Sequence, residues 1–416
     1  YLSLIAYILM GLPASLWAQD SFTNHYNITY FTMNEGLPHN FVDDIYKDSH
    51  GFLWISMASG GLSRYDGYEF INFSPSTPYC KLKSNFISNV YEDNFQRLWI
   101  VSEGGIDIID LQTMQNVLPD DPKGKLTPLL NRPASHVERS ADGCIWVHCD
   151  NRLNRICFEP DGSISNIQSL QSPYLQRKDV FFKDVESDGK VWIGLNGKIY
   201  KVEAGANGNL QEKPVAQCLT FTPDVSCSDF IAKENEIWIS TNEGLFRYNK
   251  NENIVKQYRH DPKNPHSLSQ NFLSCLAVTN DKQLMVASLK GINIYNPIKD
   301  NFDRIGDQYY PTGSNLLNSN FVNCIYIEGK HIWIGTESGG INKLSYKRLN
   351  IQNYRNNPKD PATLSNNPVN AIYEEANGTL WVGTVEGGLN RKLPNSNDFT
   401  HYTHENGKLS HNSVSV

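Results

Sequence analysis

The chain has 416 residues, 39% of them hydrophobic and 19% charged, and is rich in Gly (29), Pro (20), Tyr (21) and Phe (18). That globular profile leans toward strands and turns, suggests two or three domains by length, and excludes collagen, coiled coil and wholesale disorder. The formal net charge is −7 and the 37 Lys and Arg form no basic run, so a nucleic-acid backbone is not an expected partner of this region.

In chain order, the first element is an apolar stretch from Leu2 to Leu16 that stops at Trp17-Ala18-Gln19-Asp20. It is short for a membrane span, and Ala18 sits where a signal peptidase cuts, so residues 1–18 read as a secretory signal clipped at its start, with an uncleaved anchor as the alternative. Export permits disulfides, but the eight Cys show no framework spacing. Cys149 and Cys157 flank a hairpin and are the one pairing considered, with connectivity left open. Cys275 and Cys324 fall at matching strand positions, as small buried residues do. A metal site at Cys144, His148 and Cys149 fails, because along a strand the first two share a face and the third points away. No metal or other cofactor is expected.

From there the chain repeats. Trp54, Trp99, Trp146, Trp192, Trp238, Trp333 and Trp381 follow one another at 45, 47, 46, 46, 95 and 48 residues, and Met285 divides the double gap. Eight units of about 46 residues mean a solenoid or a propeller. Each unit opens a strand after an Asn (Asn40, Asn85, Asn271, Asn320) and turns at a pair such as Asp142-Gly143 or Asn377-Gly378. The Trp strand follows, then a glycine turn (Gly60-Gly61, Gly104-Gly105, Gly339-Gly340, Gly387-Gly388), a third strand and a looser fourth. Four short antiparallel strands per unit make one propeller blade. Leu53, Trp54 and Ile55 are apolar on both strand faces, as a strand between neighbouring blades requires. The fold is therefore read as an all-β propeller of four-stranded antiparallel blades.

The strand-like segment Ile28 to Phe31 precedes the first unit and matches a fourth strand with no blade of its own. Pairing it with the Trp333 unit closes a seven-bladed ring over residues 21–347, with an eight-bladed ring as the rival closure. Residues 348–416 are then the first blade and the start of the next repeat of a second, incomplete propeller.

The repeat resembles the two-component regulator propeller, the sensor region of hybrid two-component systems of Bacteroidetes. The residues that carry the resemblance are Gly36-Leu37-Pro38-His39-Asn40-Phe41-Val42, Asp48 to Ile55, and Gly60-Gly61-Leu62-Ser63-Arg64-Tyr65-Asp66, with two linkers, Tyr258 to Leu268 and Tyr354 to Leu364. The units of Trp146 and Trp192 depart from it, with Asn151-Arg152-Leu153 and Asn196-Gly197-Lys198 in place of the Gly-Gly turn. The resemblance implies a periplasmic sensor that binds an oligosaccharide released from glycans. It also implies a second propeller, a β-sandwich, a membrane helix and a histidine kinase further along the same chain, and a homodimer at full length. Contact with the membrane would come only through that downstream helix.

For the ligand, antiparallel alternation puts the start of each first strand and the turn between second and third strands at one end of the blades. Candidates on those loops are His39, Asn40, Asn85, Glu103, Asn242, Glu243, Asn271, Asn320 and Glu337, with Tyr310 in a longer insertion as an aromatic platform. The alternative role for each repeating Asn is to satisfy loop backbone. The Trp residues are read as packing between blades. An exported propeller that acts as a glycan hydrolase or lyase is the second reading, but a sialidase-type box places Asp five residues before Trp, whereas Asp48 precedes Trp54 by six and Asp142 precedes Trp146 by four.

Overall fold

The computed structural model describes residues 26–176, 180–205, 209–306, 317–346, 354–394, 396 and 398–415. The stretch read as a secretory signal and Tyr310 lie outside the described residues. The chain divides into two compact units, Tyr1–Tyr346 and Lys347–Val416. Among the described residues, helix is confined to the turn Thr127–Leu130 and two 3-10 segments. The protein is an all-β propeller.

The first unit is built from sheets strung along the chain. Val42–Lys47, Leu53–Met57, Gly61–Tyr65 and Phe70–Phe73 form one antiparallel sheet in chain order. The sheets of Trp146, Trp192, Trp238 and Met285 repeat that plan. The Trp99 sheet has three strands, Ile87–Glu92, Arg97–Ser102 and Gly105–Asp110, and only the bridge from Ile109 to Asn116 stands where a fourth was expected. In the Trp333 sheet, Val322–Glu328, His331–Thr336 and Ile341–Tyr346 are joined by Tyr26–Phe31 from the beginning of the unit. That strand runs antiparallel to Ile341–Tyr346, with Ile28 opposite Leu344 and Phe31 opposite Ile341. The first strands of the seven sheets touch their neighbours in chain order, and the last touches the first.

Packing explains the two-faced apolarity of the Trp strands. Every residue of Leu53–Met57, Arg97–Ser102, Ile145–Cys149 and Leu284–Ser288 is buried. Trp54 clusters with Leu82 of the connecting segment and Ile87, Val90 and Ile100 of the following sheet, and Trp99 with Val137, Ile145 and Val147 of the one after. Removing such a ring costs about 3–5 kcal/mol. The indole N–H groups are anchored as well: Trp54 donates to Asp48 at 2.8 Å, Trp99 to Asp93 at 2.9 Å, Trp146 to Ser140 at 3.0 Å and Trp333 to Glu328 at 2.9 Å.

The second turn shows why glycine recurs. Gly61 has φ +78°, and a Cβ there would lie 2.2 Å from the carbonyl oxygen of Phe73 at the end of the fourth strand. Its N–H donates to the carbonyl of Asn85, at the start of the next sheet, at 2.8 Å. In the two divergent units the strand after the turn opens on Arg152 or Lys198 rather than on a glycine, and the positive φ falls on the turn residues themselves. Cys149 pairs directly with Arg152 across Asp150 and Asn151, both at positive φ, and Leu195 pairs with Lys198 across Asn196 and Gly197.

The disulfide joins Cys144 to Cys157, not Cys149 to Cys157. The strand register explains the correction. Ile145 faces Ile156, so Cys144 and Cys157 stand opposite one another with Cα atoms 4.5 Å apart. Cys149 lies at the far end of the same strand, faces Arg152, and remains a buried free thiol.

In the second unit, Val369–Glu374, Leu380–Thr384, Gly388–Lys392 and Phe399–Tyr402 form one antiparallel sheet. Its first strand is unlike those of the first unit. Ile372 is 70% exposed, whereas Ile45, at the matching place, is 4% exposed.

Candidate functional site at the channel mouth

The first strands surround a central channel, because each turns one set of side chains toward the axis. A cavity of about 380 Å³ on the axis is lined by Asp43, Asp44, Asn89, His136, Glu138, Lys183, Asp229, Cys275 and Cys324, among others, from all seven strands. A β-bulge recurs near the start of these strands, between Val42 and Asp44, Ile87 and Asn89, Cys227 and Asp229, and Val322 and Cys324. The extra residue re-aims its side chain onto the next sheet. Ser228 donates to the carbonyl of Leu273 at 2.9 Å, Ser274 to that of Val322 at 2.5 Å, and Asn323 to that of Val42 at 3.0 Å. One residue further on, Asn89 exchanges hydrogen bonds with the backbone of Val137 at 3.0 Å, and Asp229 accepts from Leu276 N–H at 2.9 Å. These side chains stitch the circle together.

The channel concentrates carboxyl groups around one cation. Lys183 pairs with Asp229 at 3.0 Å. Burial works against the Lys183 ammonium, yet Asp229 and Glu138 hold its pKa above the ordinary value. Burial pushes Glu138 up to about 8, with Lys183 opposing the rise and Asp229 adding to it. Burial likewise raises Asp43 to about 7, helped by the charges of Asp44 and Glu337, and raises Asp44 to about 6. His136 is driven down to about 3 by burial and stays neutral, its Nε2 at 3.0 Å from the Phe182 carbonyl.

At the loop end the channel opens into a cavity of about 460 Å³ lined by Ser135, Phe181, Ser226, Ser228, Asn242 and Phe272. Its wall continues into the channel through His136, Phe181, Ser228 and Ser274, which line both spaces. Around this end stand exposed aromatic rings that follow the repeating Asn: Phe86 and Phe272 are each 52% exposed and Phe321 47%. Flat apolar faces beside hydroxyl and amide groups suit a small polyhydroxylated ligand.

Of the residues singled out from sequence, Asn242 lines this cavity. Its Oδ1 accepts from Ser226 N–H at 3.0 Å and its Nδ2 donates to the Asp224 carbonyl at 3.1 Å. Glu243, beside it, pairs with Arg259 at 2.7 Å. Asn40 and Asn271 use their side-chain oxygens to hold incoming backbone, accepting from Met33 N–H at 2.9 Å and His260 N–H at 2.7 Å. The carbonyls of Asn40, Asn85, Asn271 and Asn320 each accept a glycine N–H, from Gly340, Gly61, Gly244 and Gly291. His39 turns Nδ1 onto Phe41 N–H at 3.0 Å. Glu103 is exposed in the turn before Gly105, and Glu337 is close enough to Asp43 to raise its pKa. The channel carboxyls and the exposed Phe residues were not singled out from sequence. The Asn-Phe pairs were visible, but nothing in them says that the ring stays outside the core.

Comparison with known proteins gives the repeats their kin. Residues 36–59 and 363–386 match the two component regulator propeller family. Among solved structures, the extracellular domain of a putative hybrid two component system from B. thetaiotaomicron is 23% identical, with a TM-score of 0.60 over 94% of this chain and 50% of that one. The extracellular domain of a putative one component system from the same organism is 18% identical, with a TM-score of 0.58 over 91% of this chain and 54% of that one. The chain thus spans about half the length of either. Virginiamycin B lyase from Staphylococcus aureus shares the fold at 12% identity, with a TM-score of 0.54 over 77% of this chain and all of that one. No curated protein matches. Among the described residues, no helix is long and apolar enough to cross a membrane.

Proposed function

With two-component regulator propeller repeats as the premise, we propose that this chain is the exported sensor region of a hybrid two-component regulator. Its ligand is an oligosaccharide, held at the mouth of the channel. The observation that carries the reading is the mouth cavity, where Phe181 and Phe272 stand beside Ser135, Ser226 and Asn242. Aromatic faces take the apolar side of a sugar ring while the hydroxyl and amide groups orient it.

The region signals to a histidine kinase further along the full chain, on the far side of a membrane helix. The second unit is the beginning of a second propeller. Val369, Ile372 and Tyr373 leave an apolar strand open that a further blade of the same repeat would cover, as Ile45 is covered in the first unit. A β-sandwich and dimerisation of the full-length protein complete the proposal.

The test is a thermal-shift screen of the chain against neutral and anionic glycan oligosaccharides. Stabilisation of several degrees by one structural class, abolished by Phe272→Ala, is the expected result. No shift with any saccharide would overturn the ligand assignment. Chromatography of the same mixtures gives a second readout, since conversion of a saccharide by the chain would replace sensing with catalysis.

A further inference from the structure

A second cavity, of about 480 Å³, lies away from the mouth, where Lys190, Lys201, Lys213 and Lys250 gather beside Trp192 and Tyr248. Glu186, which also lines it, belongs to the turn between the first and second strands of the Trp192 sheet, at the opposite end of the blades from the mouth. The lysines outnumber their partners. Glu203 serves both Lys190, at 2.7 Å, and Lys213. Glu186 serves Lys201 at 2.6 Å and Lys250 at 3.0 Å, and Asp188 also reaches Lys201 at 2.6 Å. Among the described residues, four ammonium groups therefore meet three carboxylates.

The indole beside them carries an unmet donor. Trp192 is 2% exposed, and among the described residues its Nε1–H, like that of Trp238, has no hydrogen-bond partner. A buried N–H of this kind costs stability unless something accepts it. In the Trp54, Trp99 and Trp146 sheets the acceptor stands six residues before the Trp, at Asp48, Asp93 and Ser140. Glu186 holds that place here, but its two oxygens are drawn to Lys201 and Lys250.

We propose that this cavity binds an oxyanion, a carboxylate, sulfate or phosphate group on a small ligand. The anion replaces the Glu186 carboxylate between Lys201 and Lys250 and accepts the Trp192 N–H. Charge-assisted bonds from two ammonium groups and one indole suit such a group, and the Tyr248 ring bounds the space for the rest of the ligand. The site is separate from the channel mouth and does not depend on a saccharide binding there.

The test is calorimetric titration of the full chain with sodium sulfate, sodium phosphate and sodium glucuronate at constant ionic strength, with chloride and neutral glucose as controls. One of the three oxyanions is expected to saturate at one per chain, and which one does so names the group. Trp192→Phe keeps an aromatic ring in place and removes the donor, so it should weaken binding roughly tenfold, the scale of one hydrogen bond to a charged group. Lys250→Gln should weaken it similarly, whereas Glu186→Gln, which frees the lysines, should tighten it. Circular dichroism confirms that each variant is folded. Lack of saturable binding by both the wild-type chain and Glu186→Gln overturns the proposal, as does a Trp192→Phe variant that binds like wild type.

Discussion

Asp93 is the sharpest place to test how the sheets are held. It is 1% exposed and accepts four hydrogen bonds: from Phe95 N–H at 2.8 Å, Arg97 N–H at 3.1 Å, Arg97 Nε at 2.7 Å and Trp99 Nε1 at 2.9 Å. Arg97 is itself only 7% exposed. Without Asp93 the guanidinium keeps its bond to the Gly162 carbonyl at 2.9 Å, the rings of Phe95 and Phe158 and the more distant charge of Asp110, but loses the carboxylate paired with it. Breaking a buried pair by deleting one partner costs about 3–5 kcal/mol. A unit of roughly 320 residues unfolds with an entropy near 0.7 kcal/mol/K, so Asp93→Ala should lower the melting temperature by about 5–7 °C. Removing both charges in Asp93→Ala/Arg97→Met should recover part of that loss, because an apolar replacement of a buried pair is close to neutral. Thermal unfolding followed by circular dichroism measures both. A single variant within 1 °C of wild type, or a double variant at least as unstable as the single, would refute the reasoning.

Three further outcomes follow from the same physics. Glu138 has its pKa raised to about 8, so the folded state holds its proton more tightly than the unfolded chain does. The stability this contributes is complete below the unfolded value near 4.5 and is lost as pH rises toward 8. Glu138→Gln should therefore flatten the fall in melting temperature over that range and be the more stable protein at pH 8, by on the order of 2 kcal/mol once channel water is allowed for; parallel pH profiles would contradict this. Replacing Cys144 and Cys157 by Ser should cost about 2–3 kcal/mol in chemical denaturation, the entropy of closing a short loop, and reducing agent should destabilise the wild type but not that variant. Gly61→Val would force a side chain against the Phe73 carbonyl at positive φ, and a loss of about 2–4 kcal/mol is expected in the same assay.

Much of the fold was legible because the repeat states its own rules. A Trp every 46 or so residues cannot serve one local purpose, and its burial between successive sheets is what the spacing implied. The pairing of Tyr26–Phe31 with Ile341–Tyr346 could be read from an unowned strand, since a free edge demands a partner. What could not be read were departures set by tertiary context. The Trp99 sheet drops its fourth strand, and Phe182–Lys183 is a first strand of only two residues. The disulfide depended on a one-residue register that the hairpin alone did not define.

The candidate site was less legible still. The repeating Asn residues are conspicuous in the sequence, yet their carbonyls and side chains are largely engaged in joining sheets and holding loop backbone. The channel carboxyls sit at a strand position whose residue changes from unit to unit, Asp44, Asn89, His136 and Asp229 in four of them, so no motif announces them. Only closing the circle brings them within reach of one another. Trp192 is the reverse case: its motif partner Glu186 is present in sequence, and only the competing lysines remove it.

The central claim, that the channel mouth is where a saccharide binds, is tested most directly by hydrogen exchange on the chain with and without the oligosaccharide that stabilises it most. Amides around Ser135-His136, Ser226 to Ser228, Asn242 and Phe272 to Ser274 line the mouth and should exchange more slowly with ligand bound. Protection confined to other parts of the chain, with the mouth unchanged, would contradict the account.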